Sequence, residues 1–210
     1  MDEHYFSADP SVAFKRESFT AQVWGHDLAL TSASGVYSKG HLDIGTAVLF
    51  RETEPPTQGN FLDLGCGYGV IGLAIAAAVP LASVIAVDVN ERAVLLANEN
   101  ARALGLDNRV VACLPDQVPT DLVFDEIWSN PPILIGKEAL HDLLLTWLPR
   151  LAPAGRAVLV VGKNLGGDSL QRWLGEQGWP TTRIGSAKGF RVLEVRRGEA
   201  SWSWVAMRPG

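Results

Sequence analysis

The sequence is short of thiols, of positive charge and of export signals. Cys66 and Cys113 are the only cysteines among 210 residues. They are too few for a disulfide framework and lack metal-ligand spacing, which fits a reducing cytosol and a cytoplasmic location. Eighteen Lys and Arg stand against 23 Asp and Glu, a net charge of −5. No general positive field therefore draws the chain onto nucleic acid or an anionic membrane, and any RNA must be met by a local patch. Met1-Asp2-Glu3 is acidic where a secretion signal carries its positive region. His4, His26, His41 and His141 are scattered, with no Ser or Cys partner at motif spacing, which argues against a hydrolytic triad and against a metal site. One uncharged stretch runs from Val70 to Val87, but it is Ala-rich, is broken by Pro80 and Ser83, and has Asp63 and Asp88 near its ends. A helix followed by a buried strand accounts for it better than a membrane span.

What remains is the composition of a globular protein, 47% apolar and 20% charged, long enough for one large domain with a small appendage. Short β-branched runs alternate with helical patterns from residue 60 to about 195, the form of an α/β parallel sheet covered on both faces. Strands are expected at Phe61 to Leu64, Ser83 to Val87, Val110 to Cys113, Phe124 to Trp128 and Ala157 to Val161. Helices are expected at Val70 to Val79, after an Asn90 N-cap up to Gly105, at Lys137 to Leu151 and at Asp168 to Gln177. In the second of these Asn98 and Asn100 are expected to face water. Pro180 to Ile184 and Phe190 to Val195 are expected to pair across Gly185 to Gly189 as an antiparallel edge. Residues 1–55 differ in texture and read as an appendage or lid, with strands at Phe19 to Trp24 and Leu28 to Ser32 around a Gly25-His26-Asp27 turn. The main domain then covers 56–200, and 201–210 form a Trp-containing tail.

The densest signal is Asp63-Leu64-Gly65-Cys66-Gly67-Tyr68-Gly69, where the first strand of the main domain passes into its helix. Glycines there let the backbone turn sharply and let a ligand lie against main-chain N–H groups. Gly67, Gly69 and Gly72 also satisfy the dinucleotide pattern G-x-G-x-x-G, so a nicotinamide cofactor stays open. Asp63 favours S-adenosyl-L-methionine: a carboxylate beside the loop repels a pyrophosphate and suits the cationic amino group of a methionine moiety. Asp88, followed by Val89, ends the next strand about twenty residues on, where a carboxylate can accept both ribose hydroxyls of either cofactor. Cys66 reads as a small packing residue of the loop.

A second constellation, Trp128-Ser129-Asn130-Pro131-Pro132-Ile133, follows the fourth strand. Its prolines fix the backbone, so the Asn130 side-chain oxygen and the Pro131 carbonyl can converge on one point, and two convergent acceptors suit an exocyclic –NH₂. Accepting both hydrogens of such an amine turns its lone pair toward a methyl donor, which is preorganisation rather than acid–base catalysis.

The glycine loop, Asp88 and Asn130-Pro131-Pro132 together resemble class I methyltransferases of the amino-methylating group. More closely they resemble the "methyltransferase small" family of ribosomal RNA guanine-N2 methyltransferases. The resemblance runs from His4-Tyr5-Phe6-Ser7 and Pro10-Ser11-Val12 to about Arg197. It takes in Ser34-Gly35-Val36-Tyr37-Ser38, Asp43-Ile44-Gly45-Thr46, Ile133 to Glu138 and Gly189-Phe190-Arg191-Val192-Leu193. It implies a Rossmann-like, doubly wound seven-stranded sheet whose last strand is antiparallel. It also implies that Asp43 and Thr46 belong to a segment closing over cofactor and substrate.

Two positions depart from the pattern. Leu114 stands where many relatives carry an acid that meets the adenine amine, with Asp116 two residues on. Ile133 stands where an aromatic often stacks on the target base. Lys39, Lys137, Lys188, Arg191, Arg196 and Arg197 are candidates to hold phosphates at the entrance. The reading is methyl transfer to guanine N2 in ribosomal RNA, free or in a ribosomal subunit. The alternatives are a glutamine side chain of a translation release factor and a catalytically silent RNA-binding module.

Overall fold

The computed structural model describes residues 15–36, 40–131, 136–163 and 166–198. A hairpin of β1 (Arg16–Val23) and β2 (His26–Ala33) comes first, then α1 (Ile44–Arg51). The main unit continues with β3 (Gly59–Leu64), α2 (Val70–Ala78), β4 (Ala82–Val87), α3 (Glu91–Ala103) and β5 (Val110–Cys113). After these come β6 (Phe124–Ser129), α4 (Lys137–Trp147), β7 (Leu151–Gly162), α5 (Gly167–Glu176), β8 (Thr181–Ala187) and β9 (Phe190–Arg196).

Seven strands form one sheet in the order β5-β4-β3-β6-β7-β9-β8, the Rossmann-like doubly wound arrangement. From β3 the chain winds outward to β5 and then returns to the other side of β3 as β6. The carboxyl ends of β3 and β6 thus flank the point where the winding reverses, where open α/β sheets bind ligands. The glycine loop leaves one of these ends and Asn130 the other. Alternate residues build the two layers. Phe61, Trp128, Val158 and Val160 face α1, α2 and most of α3 with the β1–β2 hairpin, while Leu62, Ile127, Leu159 and Val161 face α4 and α5. Because Ala21, Val23, Leu28 and Leu30 lie in the first of these clusters, the hairpin shares the core of the main sheet.

Local chemistry explains the element ends and several departures from the sequence reading. Asn90 caps α3, its Oδ1 accepting from the Arg92 N–H at 2.9 Å, and Gly105 at φ 67° turns the chain away. The hairpin turn is the two residues Trp24 and Gly25, both at positive φ, not Gly25 to Asp27. Such a pair matches the right-handed twist of the strands. The helix expected to reach Leu151 stops at Trp147, because Pro149 has no N–H to continue it and the chain tightens into a short turn over Leu148–Arg150. Helix α1 was not foreseen.

β9 runs antiparallel and inserts between β7 and β8, so the reversed strand lies one place inside the edge. Its direction has a consequence at each end. Arg191 pairs in register with Val161, at the carboxyl end of β7, whereas Arg196 pairs with Arg156 toward the other end. Arg196 bonds Glu194, and Arg197 donates to the Leu151 carbonyl. Neither borders the carboxyl ends, which corrects their reading as entrance residues.

Asn100 is also corrected: it is 2% exposed. Its Nδ2 donates to the Thr31 and Tyr68 carbonyls and its Oδ1 accepts from the Thr31 N–H, each at 2.9 Å. Asn98 makes two bonds to the backbone of Ala112. Polar residues on this helix are turned inward because strand backbone there needs partners.

Candidate active site

The glycine loop is built over the end of β4. The Gly65 and Cys66 N–H groups both donate to the Val87 carbonyl, at 2.8 and 3.0 Å, and the Gly67 N–H donates to Asp88 Oδ2 at 2.9 Å. Its glycines have separate physical reasons. A Cβ on Gly69, at φ 89°, would meet Ala97 Cβ at 3.0 Å, and one on Gly72 would meet Val84 Cγ1 at 2.9 Å; these two allow close packing against α3 and the sheet. A Cβ on Gly67, at φ 55°, would find only Val36 Cγ1 at 4.0 Å, so this glycine keeps open space above the loop.

Two carboxyls lie beneath and beside the loop. Asp63 is fully buried. Its Oδ2 accepts from the Gly72 N–H at 2.8 Å, while Oδ1 has no hydrogen-bond partner. Burial pushes its pKa up to about 7, against the lowering effect of the Gly72 N–H, and the nearby Asp88 raises it further. Asp88 also accepts from the Asn90 N–H at 2.9 Å. Desolvation raises its pKa, partly offset by the N–H groups of Asn90, Gly67 and Val89. The Cys66 thiol is pushed well up by burial and by the two neighbouring acids, which suits packing and not nucleophilic attack. The Val89 side chain is half exposed. Asp116 sits in an exposed turn, Pro115–Gln117, and Gln117 takes the Leu114 N–H.

At the end of β6, Ser129 donates to the Leu64 carbonyl at 2.6 Å, tying the two carboxyl ends together. Asn130 Nδ2 donates to Asp43 Oδ2 at 2.7 Å and to Thr46 Oγ1 at 3.0 Å. Asp43 is the N-cap of α1, and the same oxygen accepts from the Thr46 N–H at 3.0 Å. The amide nitrogen of Asn130 is thus used inside the protein, and its Oδ1 remains as an acceptor. Pro131 is buried. Pro132, Ile133 and Lys39, singled out in the sequence, lie outside the described residues, as does the 201–210 tail.

Asp63, Gly65, Cys66, Gly67, Gly69 and Asp88 come together around the loop, and Asp43, Thr46 and Asn130 around the end of β6. Asn90 was read only as a helix cap, yet its Nδ2 also donates to the Gly35 carbonyl at 2.8 Å, holding the segment after the hairpin beside Asp88. Nothing in a single sequence flags that contact. Among the described residues no group of three or more His, Cys, Asp or Glu could hold a metal ion, and no helix is long and apolar enough to cross a membrane.

A family model for the methyltransferase small domain matches residues 27–194. The chain belongs to the methyltransferase small domain family. It is therefore an S-adenosylmethionine-dependent methyltransferase. Among its relatives, an uncharacterized Bacillus subtilis protein, YbxB, is 34% identical over 200 residues, which cover 94% of this chain and all of that one. Ribosomal RNA small subunit methyltransferase C of Pseudomonas aeruginosa is 32% identical over 196 residues, covering 90% of this chain and 57% of that protein. The chain thus spans little more than half the length of this curated relative. Among solved structures, a T. thermophilus 16S rRNA N2 methyltransferase in complex with AdoMet and guanosine superposes with a TM-score of 0.72 at 22% identity. That match covers 90% of this chain and 52% of the other, and it establishes the shared fold.

Proposed function

We propose that this member of the family methylates the exocyclic N2 amine of a guanine in small-subunit ribosomal RNA. The observation that carries the reading is the orientation of Asn130: with its nitrogen held by Asp43 and Thr46, it offers only an acceptor. When bound, S-adenosylmethionine supplies an electrophilic methyl group. The residues fit such a cofactor. The open face at Gly67 admits it, the Asp88 carboxylate has lone pairs left for ribose hydroxyls, and the Asp63 carboxyl, raised in pKa by burial and with Oδ1 unpartnered, would be drawn toward its charged form by the cationic amino group of the methionine moiety. Gly65, Cys66 and Gly69 shape the floor, and Val89 gives apolar contact to a flat ring.

On the substrate side, Asn130 Oδ1 and the Pro131 carbonyl accept the two amine hydrogens. Positive charge grows on the amine nitrogen as it reacts, so both bonds strengthen toward the transition state. A stacked, paired guanine cannot present its amine this way, so the target must be unstacked, at a cost of a few kcal/mol. The −5 charge supplies no general attraction to offset that cost, which favours a site already open. Lys137 at the start of α4 and Lys188 in the β8–β9 turn are suited to hold backbone phosphates. Arg191 is shared with Asp168 and Ser186.

The test is transfer of labelled methyl groups to total RNA, isolated ribosomal subunits and a release factor in parallel, with nucleoside mass spectrometry. Label in N2-methylguanosine is the expected result. Label in a glutamine side chain and none in RNA would replace the reading with the release-factor alternative, and binding of RNA without transfer would replace it with a silent module.

A further inference from the structure

We propose that Asp43 is a positioning residue of the reaction: its charge, acting through the Asn130 amide, fixes which atom meets the substrate and restricts the acceptor to an N–H donor. The inference rests on the reading of Asn130 given above. Asp43 Oδ2 lies 2.7 Å from Asn130 Nδ2, and Thr46 Oγ1 holds the same nitrogen from a second side at 3.0 Å. A carboxylate oxygen accepts and cannot donate, so it admits only the amide nitrogen. The opposite flip would set the Asn130 oxygen against a negative oxygen. Thr46 is 4% exposed and Asp43 caps α1 through the Thr46 N–H, so the pair is held by the first turn of a helix.

Two chemical consequences follow. The amide is fixed with Oδ1 outward, so a substrate carbonyl or other acceptor meets repulsion where an –NH₂ meets a partner. A negative charge behind the amide nitrogen also draws amide resonance toward its charge-separated form, which places more negative charge on Oδ1. The hydrogen bond to an amine acquiring positive charge is then stronger than that from an isolated asparagine. Asp43, which the family resemblance implies lies in a segment closing over cofactor and substrate, is thereby assigned to the acceptor side.

The chemistry permits a clean substitution. Asp43→Asn keeps a good N-cap oxygen and removes only the charge. It is expected to slow single-turnover methylation of a small-subunit ribosomal RNA transcript about tenfold, since charge-assisted bonds are roughly twice as strong as neutral ones. S-adenosylmethionine affinity by calorimetry should stay within about threefold of the parent. Asn130→Asp alone sets two carboxylates side by side and should lose roughly hundredfold or more. In the exchange Asp43→Asn with Asn130→Asp the new Nδ2 can donate to the carboxylate only from the position whose oxygen capped the Thr46 N–H, so it is expected to recover part of the loss, about tenfold over Asn130→Asp alone. An exchange no better than Asn130→Asp alone overturns the proposal, and so does a tenfold loss of cofactor affinity in Asp43→Asn.

One readout needs no substrate. In a nitrogen-labelled sample the Asn130 side-chain amide signals should lie downfield and exchange slowly, and move upfield in Asp43→Asn. Unmoved signals refute the contact even if no RNA proves to be a substrate, whereas moved signals with no RNA methylation leave the contact standing and remove the guanine reading.

Discussion

Asp63 and Asp88 are both acids at the ends of neighbouring strands, yet the protein treats them differently. Asp63 is sealed, with one oxygen unpartnered, and burial raises its pKa from 3.8 to about 7. A carboxyl whose folded pKa is raised binds its proton more tightly when folded. Its favourable contribution is therefore complete below the unfolded value and declines as pH rises toward the folded one. Ionising Asp63 in the folded protein costs about 4 kcal/mol more than in the unfolded chain. Thermal unfolding of the cofactor-free protein should thus show the parent losing ground to Asp63→Asn between about pH 4 and pH 7. Parallel pH profiles would contradict the burial argument. At Asp88 the prediction concerns binding: Asp88→Ala should weaken S-adenosylmethionine by about 1.5–3 kcal/mol, the range for hydrogen bonds to a charged group. Unchanged calorimetric affinity in a folded variant would remove Asp88 from the cofactor site.

At the scale of elements, the glycine loop separates folding from function. Gly67→Ala introduces strain of about 1–2 kcal/mol from its positive φ but no collision. It should fold with a modestly lowered melting temperature and lose cofactor binding, because the new methyl occupies the ligand's side of the loop. Gly69→Ala carries similar strain and drives its Cβ to 3.3 Å from the α3 backbone at Ala97. Overpacking adds about 1–3 kcal/mol, so this variant should be the less stable of the two in denaturant titration. The reverse order of stabilities would refute the separate roles.

The strand–loop–helix succession here is legible in sequence because hydrophobic runs, glycines and the Asn90 cap are local signals. Helix α1 is not, since it is short and carries no acidic residue in its first turn. The inward turn of Asn100 is likewise illegible, because its partners Thr31 and Tyr68 lie 69 and 32 residues away.

At the scale of the whole molecule, the N-terminal hairpin is welded to the site rather than appended to it. Its apolar face enters the main core, Asn100 bridges it to the glycine loop at Tyr68, and the Trp24 indole donates to the Phe50 and Thr53 carbonyls at the end of α1. Asn100→Ala leaves the Thr31 N–H and the Tyr68 carbonyl without this partner, at about 1–3 kcal/mol for each buried group left unpaired. Hydrogen exchange should then accelerate in β2 and in the glycine loop together. Acceleration confined to β2 would mean that the hairpin is not coupled to the loop. The intact chain should unfold in a single calorimetric transition.

By itself the sequence determined the order of strands and helices apart from α1, the glycine loop and the acid after the next strand. These depend on residues within about twenty positions of one another, where backbone propensity and hydrophobic period act directly. It also determined that Asn130 follows a strand end with its backbone fixed by proline. Tertiary structure decided the rest. The return of the chain to β6 set Asn130 beside the glycine loop. The reversal of β9 carried Arg196 and Arg197 away from the site while leaving Arg191 near the carboxyl ends. Asp43, 87 residues before Asn130, decided which face of the amide points outward. A side-chain amide has two chemically opposite ends, and only the charge packed against one of them selects which end meets the substrate.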